Sequence, residues 1–452
     1  MALLSGSTDT IVAQATPPGQ GGVGIIRVSG SSVADVCQTI LGNIPSPRLA
    51  SYQPFKSVNG ETLDIGLALY FKAPNSFTGE DVLELHAHGG QVILDMLMRE
   101  ICSLDIRIAE PGEFSKRAFL NDKLDLAQAE AIADLINAST ETAARSAVHS
   151  LSGEFSSLIR SLLEKLIHVR MYIESAIDFP EEEIDFLSDA RIRESLDELA
   201  IQFSTVLSRT REGVVLNEGM RVVILGQPNA GKSSLLNAFT GEATAIVTDV
   251  PGTTRDVIRE TIQIDGMPLV LIDTAGIREG ADIVESEGIK RAWDQVNSAD
   301  RILLVVDGET GITNEDRTIL KKIEDPAHVT IILNKQDIAV SDHADLTTDF
   351  NDIFKVSAKT GFGLQSLKQH LKNIMGYSSG EGAILARRRH LEALEAAKSS
   401  LEMAVFNLET SQAGELAAED LRQAQFELNK ITGEFDNEDL LGEIFSSFCI
   451  GK

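Results

Sequence analysis

The stretch Gly226-Gln-Pro-Asn-Ala-Gly-Lys232-Ser233 constrains this chain more than any other. It fits G-x-x-x-x-G-K-[ST], follows the apolar run Arg221 to Leu225, and leads into a segment that reads as helix from near Ser234. A glycine-rich turn of this kind wraps backbone N–H groups around phosphate oxygens, and it needs a buried strand on one side and a helix on the other. Its lysine brings a point charge to the β and γ oxygens, and its hydroxyl residue offers an oxygen to Mg2+. The surrounding text agrees: Arg221-Val-Val-Ile-Leu, Leu269-Val-Leu-Ile, Ile302-Leu-Leu-Val-Val and Val329-Thr-Ile-Ile-Leu are short apolar runs of the sort that fill a parallel sheet covered on both faces.

The ends of those runs carry the remaining elements of a guanine-nucleotide site. Asp273-Thr274-Ala275-Gly276 places a carboxylate within reach of the magnesium shell and an amide where a γ-phosphate would be sensed. Asn334-Lys335-Gln336-Asp337 offers a carboxylate to guanine N1–H and its 2-amino group, a donor pair that adenine lacks, and Ser357-Ala358-Lys359 adds a backbone contact to the base. The phosphate side is predicted to comprise Asn229, Ala230, Gly231, Lys232, Ser233 and Ser234, with Thr248, Asp249, Val250, Pro251, Gly252, Thr253 and Thr254 as the switch. Of the two adjacent threonines, Thr254 is the candidate that joins Mg2+ with Ser233 when the γ-phosphate is present. Ile277 follows Gly276 where many GTPases carry a water-positioning glutamine, so that step needs another solution. Asn229 suggests one, a potassium ion held among its side-chain oxygen and switch carbonyls in place of an arginine finger. The competing reading is that Asn229 only stabilises the loop. Glu279, Asp282, Glu285 and Glu287 could each orient the water, and spacing does not choose among them.

The 452 residues exceed one ordinary domain, and 43 % hydrophobic with 24 % charged residues is the profile of a globular chain. Residues 1–120 mix strands and glycine/proline punctuation and read as an α/β module. Residues 121–216 read as helices, with Phe155, Leu158, Leu162, Leu166, Val169 and Ile173 on one face; residues 217–378 form the nucleotide module. Residues 379–452 return to helix, with Leu391, Leu394, Leu401 and Leu408 in a stripe. The two helical stretches are expected to bury each other, making one discontinuous helical domain interrupted by an inserted P-loop GTPase domain of Ras-like type.

A net charge of −28 opposes unaided grip on nucleic acid, so an RNA substrate would need a partner's basic surface. No apolar run approaches a bilayer span and no secretory signal is evident, which predicts a cytoplasmic protein without a membrane role. Three scattered cysteines are expected to be reduced thiols. Gly19-Gln-Gly-Gly-Val-Gly24 matches a dinucleotide fingerprint but runs into a strand, not a helix, and His86 and His88 lack a third metal ligand.

Asp9-Thr-Ile-Val-Ala-Gln-Ala-Thr-Pro-Pro-Gly, Asn75-Ser-Phe-Thr-Gly-Glu-Asp, Pro111-Gly-Glu-Phe-Ser, Asp178-Phe-Pro-Glu-Glu-Glu-Ile-Asp185, Pro228-Asn-Ala-Gly-Lys-Ser and the ending Phe448-Cys-Ile-Gly-Lys452 resemble the MnmE (TrmE) family of tRNA modification GTPases over the whole chain. The resemblance implies an N-terminal domain that binds folate and dimerises, and a homodimer that joins a FAD-dependent partner of the MnmG (GidA) type as a heterotetramer. Together they would place an aminomethyl or carboxymethylaminomethyl group on C5 of the wobble uridine of certain tRNAs, with one carbon drawn from 5-formyl- or 5,10-methylene-tetrahydrofolate. It further implies K+ at Asn229, Thr248, the Val250 carbonyl and Thr253, Mg2+ at Ser233 and Thr254, and Glu285 as the acid that orients water indirectly. Folate would be held by Arg27, Glu84, Lys123 and Lys452. Cys449 is either a thiol presented to folate or uridine, or a small residue packing the tail. The alternative function is a regulatory GTPase of ribosome or cofactor assembly.

Overall fold

A computed structural model of the chain describes residues 9–178, 190–242, 259–264, 267–273, 293, 296–297, 299–323, 325–339, 352–375, 384–410, 413–434, 438–446, 448 and 451. These fall into two compact units. One comprises Met1–Ala133, Leu151–Ser188 and Ser399–Lys452, the other Asp134–Ser150 and Asp189–Lys398.

The first unit opens with strands β1 (Ile11–Gln14) and β2 (Gly21–Ser29), the short helix α1 (Val33–Val36), and strands β3 (Ser51–Lys56), β4 (Thr62–Phe71) and β5 (Val82–Gly89). Helix α2 (Gln91–Cys102), strand β6 (Arg107–Ile108) and helix α3 (Glu113–Leu120) follow. The strands form one sheet in the order β3-β4-β5-β2-β1-β6, antiparallel except for β1 beside β6. Strand alternation sorts the side chains: Ile26, Val28, Leu83, Leu85 and Ala68 pack with Leu94, Leu97 and Ile101 of α2. The opposite face carries Arg27 opposite Glu84, one register pair on adjacent strands. Helices α4 (Leu126–Asn137), α5 (Glu141–Leu151) and α6 (Glu154–Asp178) come next in the chain.

The second unit begins its main run with α7 (Ala190–Glu218), then β7 (Met220–Leu225), α8 (Lys232–Glu242), β8 (Arg259–Ile264), β9 (Met267–Asp273), β10 (Arg301–Asp307) and α9 (Asn314–Lys321). It continues through β11 (Val329–Asn334), β12 (Ile353–Lys355) and α10 (Leu364–Ile374). The sheet order is β12-β11-β10-β7-β9-β8, parallel throughout except for β8 against β9. The four runs singled out in the sequence are its central strands, and both faces are buried. Val222, Ile224, Leu303, Val305 and Ile332 point to one core, while Val223, Leu225, Leu304, Val306 and Leu333 point to the other.

The last helices are α11 (Arg388–Glu409), α12 (Gly414–Thr432) and α13 (Glu438–Ser446). In the first unit α6, which precedes the nucleotide module, packs against α12, which follows it, and Arg170 reaches Gln425 across that seam. On α6, Phe155, Leu162, Leu166, Val169 and Ile173 are buried as expected, while Ile159 is fully buried and Leu158 only half-buried. Leu394, Leu401 and Leu408 are buried on α11, and Leu391 is half-buried. Near the chain's end, Phe445 and Phe448 pack with Phe119 and Leu126, and Gly451 lies so close to Gln14 that an added Cβ would come within 2.3 Å of its carbonyl oxygen. No helix among the described residues is long and apolar enough to cross a membrane.

Candidate functional site

The carboxyl ends of parallel strands collect polar loops at one edge of a sheet, and ligands bind there in open α/β folds. The loop from β7 to α8 is the glycine-rich turn. Asn229 takes a left-handed conformation with φ of 65°, which an asparagine tolerates and most side chains do not. Gly231 is also left-handed, and a Cβ on it would lie 2.2 Å from Asn334 Nδ2, so glycine is required on both counts. Lys232 Nζ donates to the carbonyls of Gly226 at 2.7 Å and Gln227 at 2.8 Å, spanning the turn from inside. Asn229, Ser233 and Ser234 are exposed.

The second wall is the loop after β11. Asn334 is buried, donating through Nδ2 to Ala230 O at 3.0 Å and accepting at Oδ1 from Ala358 N at 3.0 Å. One side chain thus ties the phosphate loop, its own loop and the loop after β12 together. Asp337 is exposed and accepts from Ser357 Oγ at 2.7 Å. That hydrogen bond chiefly, with the Lys359 charge, holds its carboxyl below the usual range, so it is an ionised and exposed hydrogen-bond acceptor. Lys335 Nζ lies 2.6 Å from Asp307 Oδ2 at the end of β10.

On the first unit's sheet, Glu84 Oε1 receives Arg27 Nε at 2.9 Å and Nη2 at 2.8 Å, and Oε2 faces His86 Nε2 at 3.4 Å. The Arg27 guanidinium lies 5.7 Å from the ring centres of both Phe77 and Phe114. Behind this pair, buried Arg117 binds Asp9, Glu80 and Glu113, and Glu80 accepts from Ser29 Oγ at 2.7 Å, which fixes the loop that carries Phe77. Lys123 lines a groove of about 530 Å3 with Arg160, Thr432 and Glu434. His88 is engaged by Asp64 at 2.8 Å.

Thr248 to Thr254, Thr274 to Gly276, Glu285, Cys449 and Lys452 lie outside the described residues. Asp273 closes β9 beside Ile224 of β7, one strand over from the start of the glycine-rich turn.

The family model for the GTP-binding protein TrmE N-terminus matches residues 10–123, and the MnmE helical domain matches residues 126–449, spanning the inserted nucleotide module. The tRNA modification GTPase MnmE of Shewanella sp. (strain MR-7) is 55% identical over 452 residues, covering 99% of this chain and 100% of the relative. The chain belongs to the MnmE family of tRNA modification GTPases. The MnmE of Erwinia tasmaniensis agrees, at 57% identity over 451 residues, 98% of this chain and 99% of that one. Among solved structures, the G domain of the T. maritima FeoB iron transporter is 26% identical over 34% of this chain and 98% of its own length, with a TM-score of 0.27, too slight a likeness to carry weight. The fold therefore combines the TrmE N-terminal domain, a discontinuous MnmE helical domain and an inserted P-loop GTPase module, and the protein is a GTP hydrolase linked to tRNA modification.

Within this MnmE-family site the structure gathers Ala230, Gly231, Lys232, Asn334 and Ala358 directly, and separately pairs Arg27 with Glu84. Sequence reasoning assigned nothing to Asp307 and Thr313, and Gln227 entered it only as a variable position of the glycine-rich motif. The one signal for Asp307 was its place at the end of an apolar strand in Val305-Val-Asp-Gly308, a strand-end position where ligand loops begin.

Proposed function

We propose that this protein works with a FAD-dependent partner of the MnmG type, as a heterotetramer built on a homodimer. The complex adds a carboxymethylaminomethyl or aminomethyl group to C5 of the wobble uridine of certain tRNAs. The carbon comes from a tetrahydrofolate derivative, 5-formyl or 5,10-methylene. The observation that carries this reading is the Arg27–Glu84 pair, a half-buried carboxylate bound to a guanidinium that lies beside two aromatic rings, on a chain that also holds a guanine-nucleotide loop. A reduced pterin presents adjacent N–H donors and a flat ring, which suit that carboxylate and the neighbouring rings. Lys123, and Lys452 beyond Gly451, would take the glutamate tail.

In the nucleotide module, Ser233 and Thr254 would hold Mg2+, and Asn229, Thr248, the Val250 carbonyl and Thr253 would hold K+. Asn229 and Ser233 are exposed residues that carry oxygen donors, the ligand type hard cations prefer. When bound, these ions supply positive charge to the phosphate oxygens. Lys232 adds its own charge, Asp337 selects guanine, Asp273 orients the magnesium shell, and Glu285 orients the attacking water through an intermediary. Cys449 is a candidate thiol in the modification step. The domain limits that accompany this reading are 1–120, 121–216, 217–378 and 379–452, and the site of action is the cytoplasm.

The test is mass spectrometry of wobble uridines in tRNA from cells lacking the chain. Loss of the C5 modification, restored by the intact chain and not by Asp273→Ala, supports the reading. An unchanged profile refutes it and favours a regulatory GTPase of assembly.

A further inference from the structure

Between the guanine loop and the phosphate loop runs the turn from Asp307 to Thr313, to which neither the motifs nor the family comparison gives a role. Its first residue is built in before any ligand arrives. Asp307 Oδ1 accepts from Glu309 N at 2.9 Å, its backbone carbonyl accepts from Gly311 N at 2.9 Å, and its Oδ2 lies 2.6 Å from Lys335 Nζ. The pair is largely shielded, with 24% of the Asp307 side chain and 31% of the Lys335 side chain exposed. Burial works against the Asp307 charge, but Lys335 and the Glu309 amide more than offset it and hold the carboxyl below its usual range. Lys335 has a left-handed backbone, φ 63°, and the ion pair fixes the end of its four-carbon stem at Asp307. The adjoining Gly308 N donates to Asn334 O at 2.8 Å, a second tie to the same loop.

The far end of the turn grips the phosphate loop. Gln227 Nε2 donates to Thr313 Oγ1. Thr313 is also the N-cap of α9: it closes a reciprocal capping box with Asp316, which is only 2% exposed. The hydroxyl that receives Gln227 is therefore anchored to a helix.

We propose that Asp307 and Thr313 are positioning residues for guanine-nucleotide binding, Asp307 by fixing the Lys335 stem and Thr313 by fixing Gln227, so that base loop and phosphate loop form one preorganised surface. This deepens the nucleotide site alone and is independent of the folate reading. Preorganisation raises affinity by lowering the ordering cost of binding, so its loss appears in the dissociation constant.

The experiment is equilibrium titration of the full chain with a fluorescent GDP, N-methylanthraniloyl-GDP, as two double-mutant cycles. Asp307→Ala should weaken binding about five-fold, the scale of a shielded but not fully buried ion pair. In a Lys335→Met background the same change should have almost no further effect, because the ammonium through which Asp307 holds the stem is gone. Asp307→Asn, which keeps the Glu309 contact, provides a second measure less prone to misfolding, and Asp307→Glu should recover part of the loss. Thr313→Val should likewise weaken binding in the parent and not in a Gln227→Leu background. Equal losses in both backgrounds would reveal a general defect of the turn and overturn the proposal, as would no loss in either.

Discussion

Asn334 ties three loops of the nucleotide module together, and Asn334→Ala measures how far nucleotide binding depends on that tie. The substitution removes two hydrogen bonds, to Ala230 O and from Ala358 N, each 3.0 Å long. With Asn334 only 1% exposed, water does not readily replace them. Each partner left stranded costs about 1–3 kcal/mol, so with two partners at about 1.5 kcal/mol apiece roughly 3 kcal/mol is expected overall. If nucleotide needs the three loops as they stand, that loss appears as an increase of about 100-fold in the GDP dissociation constant; a water entering the space left by the amide would reduce it to about ten-fold. Asn334→Asp is a sharper probe. It retains the acceptor for Ala358 N but turns a charged acceptor toward Ala230 O, and it should bind GDP more weakly than alanine does. Fluorescence titration, paired with a GDP release rate, decides the matter. A change under about three-fold for both variants would show that the loops hold their arrangement without this side chain.

Glu84→Ala should abolish binding of 5-formyl-tetrahydrofolate in calorimetry, since it removes the acceptor and leaves Arg27 without its partner; undiminished affinity would refute the pterin role. GTP hydrolysis should run at least about ten-fold faster in potassium than in sodium salts, with the difference erased by Asn229→Ala, and equal rates in the parent protein would exclude a potassium site. Burial opposes ionisation of Glu113, yet Arg107, the Glu110 amide and Arg117 depress its carboxyl below the ordinary value of 4.5. A depressed pKa contributes stability that is present above the unfolded value and lost as pH falls through the folded one. Glu113→Gln should therefore lower stability near pH 7 by about 3 kcal/mol and flatten its decline below about pH 4.5 in urea denaturation, and parallel pH profiles would contradict this.

What was legible in the sequence follows from where the chemistry is local. The glycine-rich turn, Asp273 and the Asn334 loop each sit at the end of an apolar run, and those runs lack alternation because both faces of the sheet are buried. Val222 and Val223 point to different cores, yet neither tolerates a polar residue. Strand β8 escaped notice for the opposite reason: it lies at the sheet edge, antiparallel, and Arg259, Glu260 and Gln263 give it little apolar signal. The burial of Ile159 in place of Leu158 reflects which of two adjacent residues the packing of α6 selects. The bond from Asn334 to Ala230 joins residues 104 apart in the chain, and no local pattern announces such a partner. The same holds for Lys335 and Asp307. Functional types were readable, while the contacts that position them emerged only with the fold.

The burial of Gly451 against Gln14 has a consequence for how the molecule is made. A nascent chain emerges in order, at ~5–20 residues per second, so Gln14 waits about 20–90 s for Gly451 to reach it. Until then Phe119 and Leu126 lack their Phe445 and Phe448 neighbours, whereas every segment of the nucleotide unit has been synthesised by Lys398. The first unit is thus completed after the nucleotide unit, and until Phe445 and Phe448 emerge its apolar face at Phe119 and Leu126 stays uncovered.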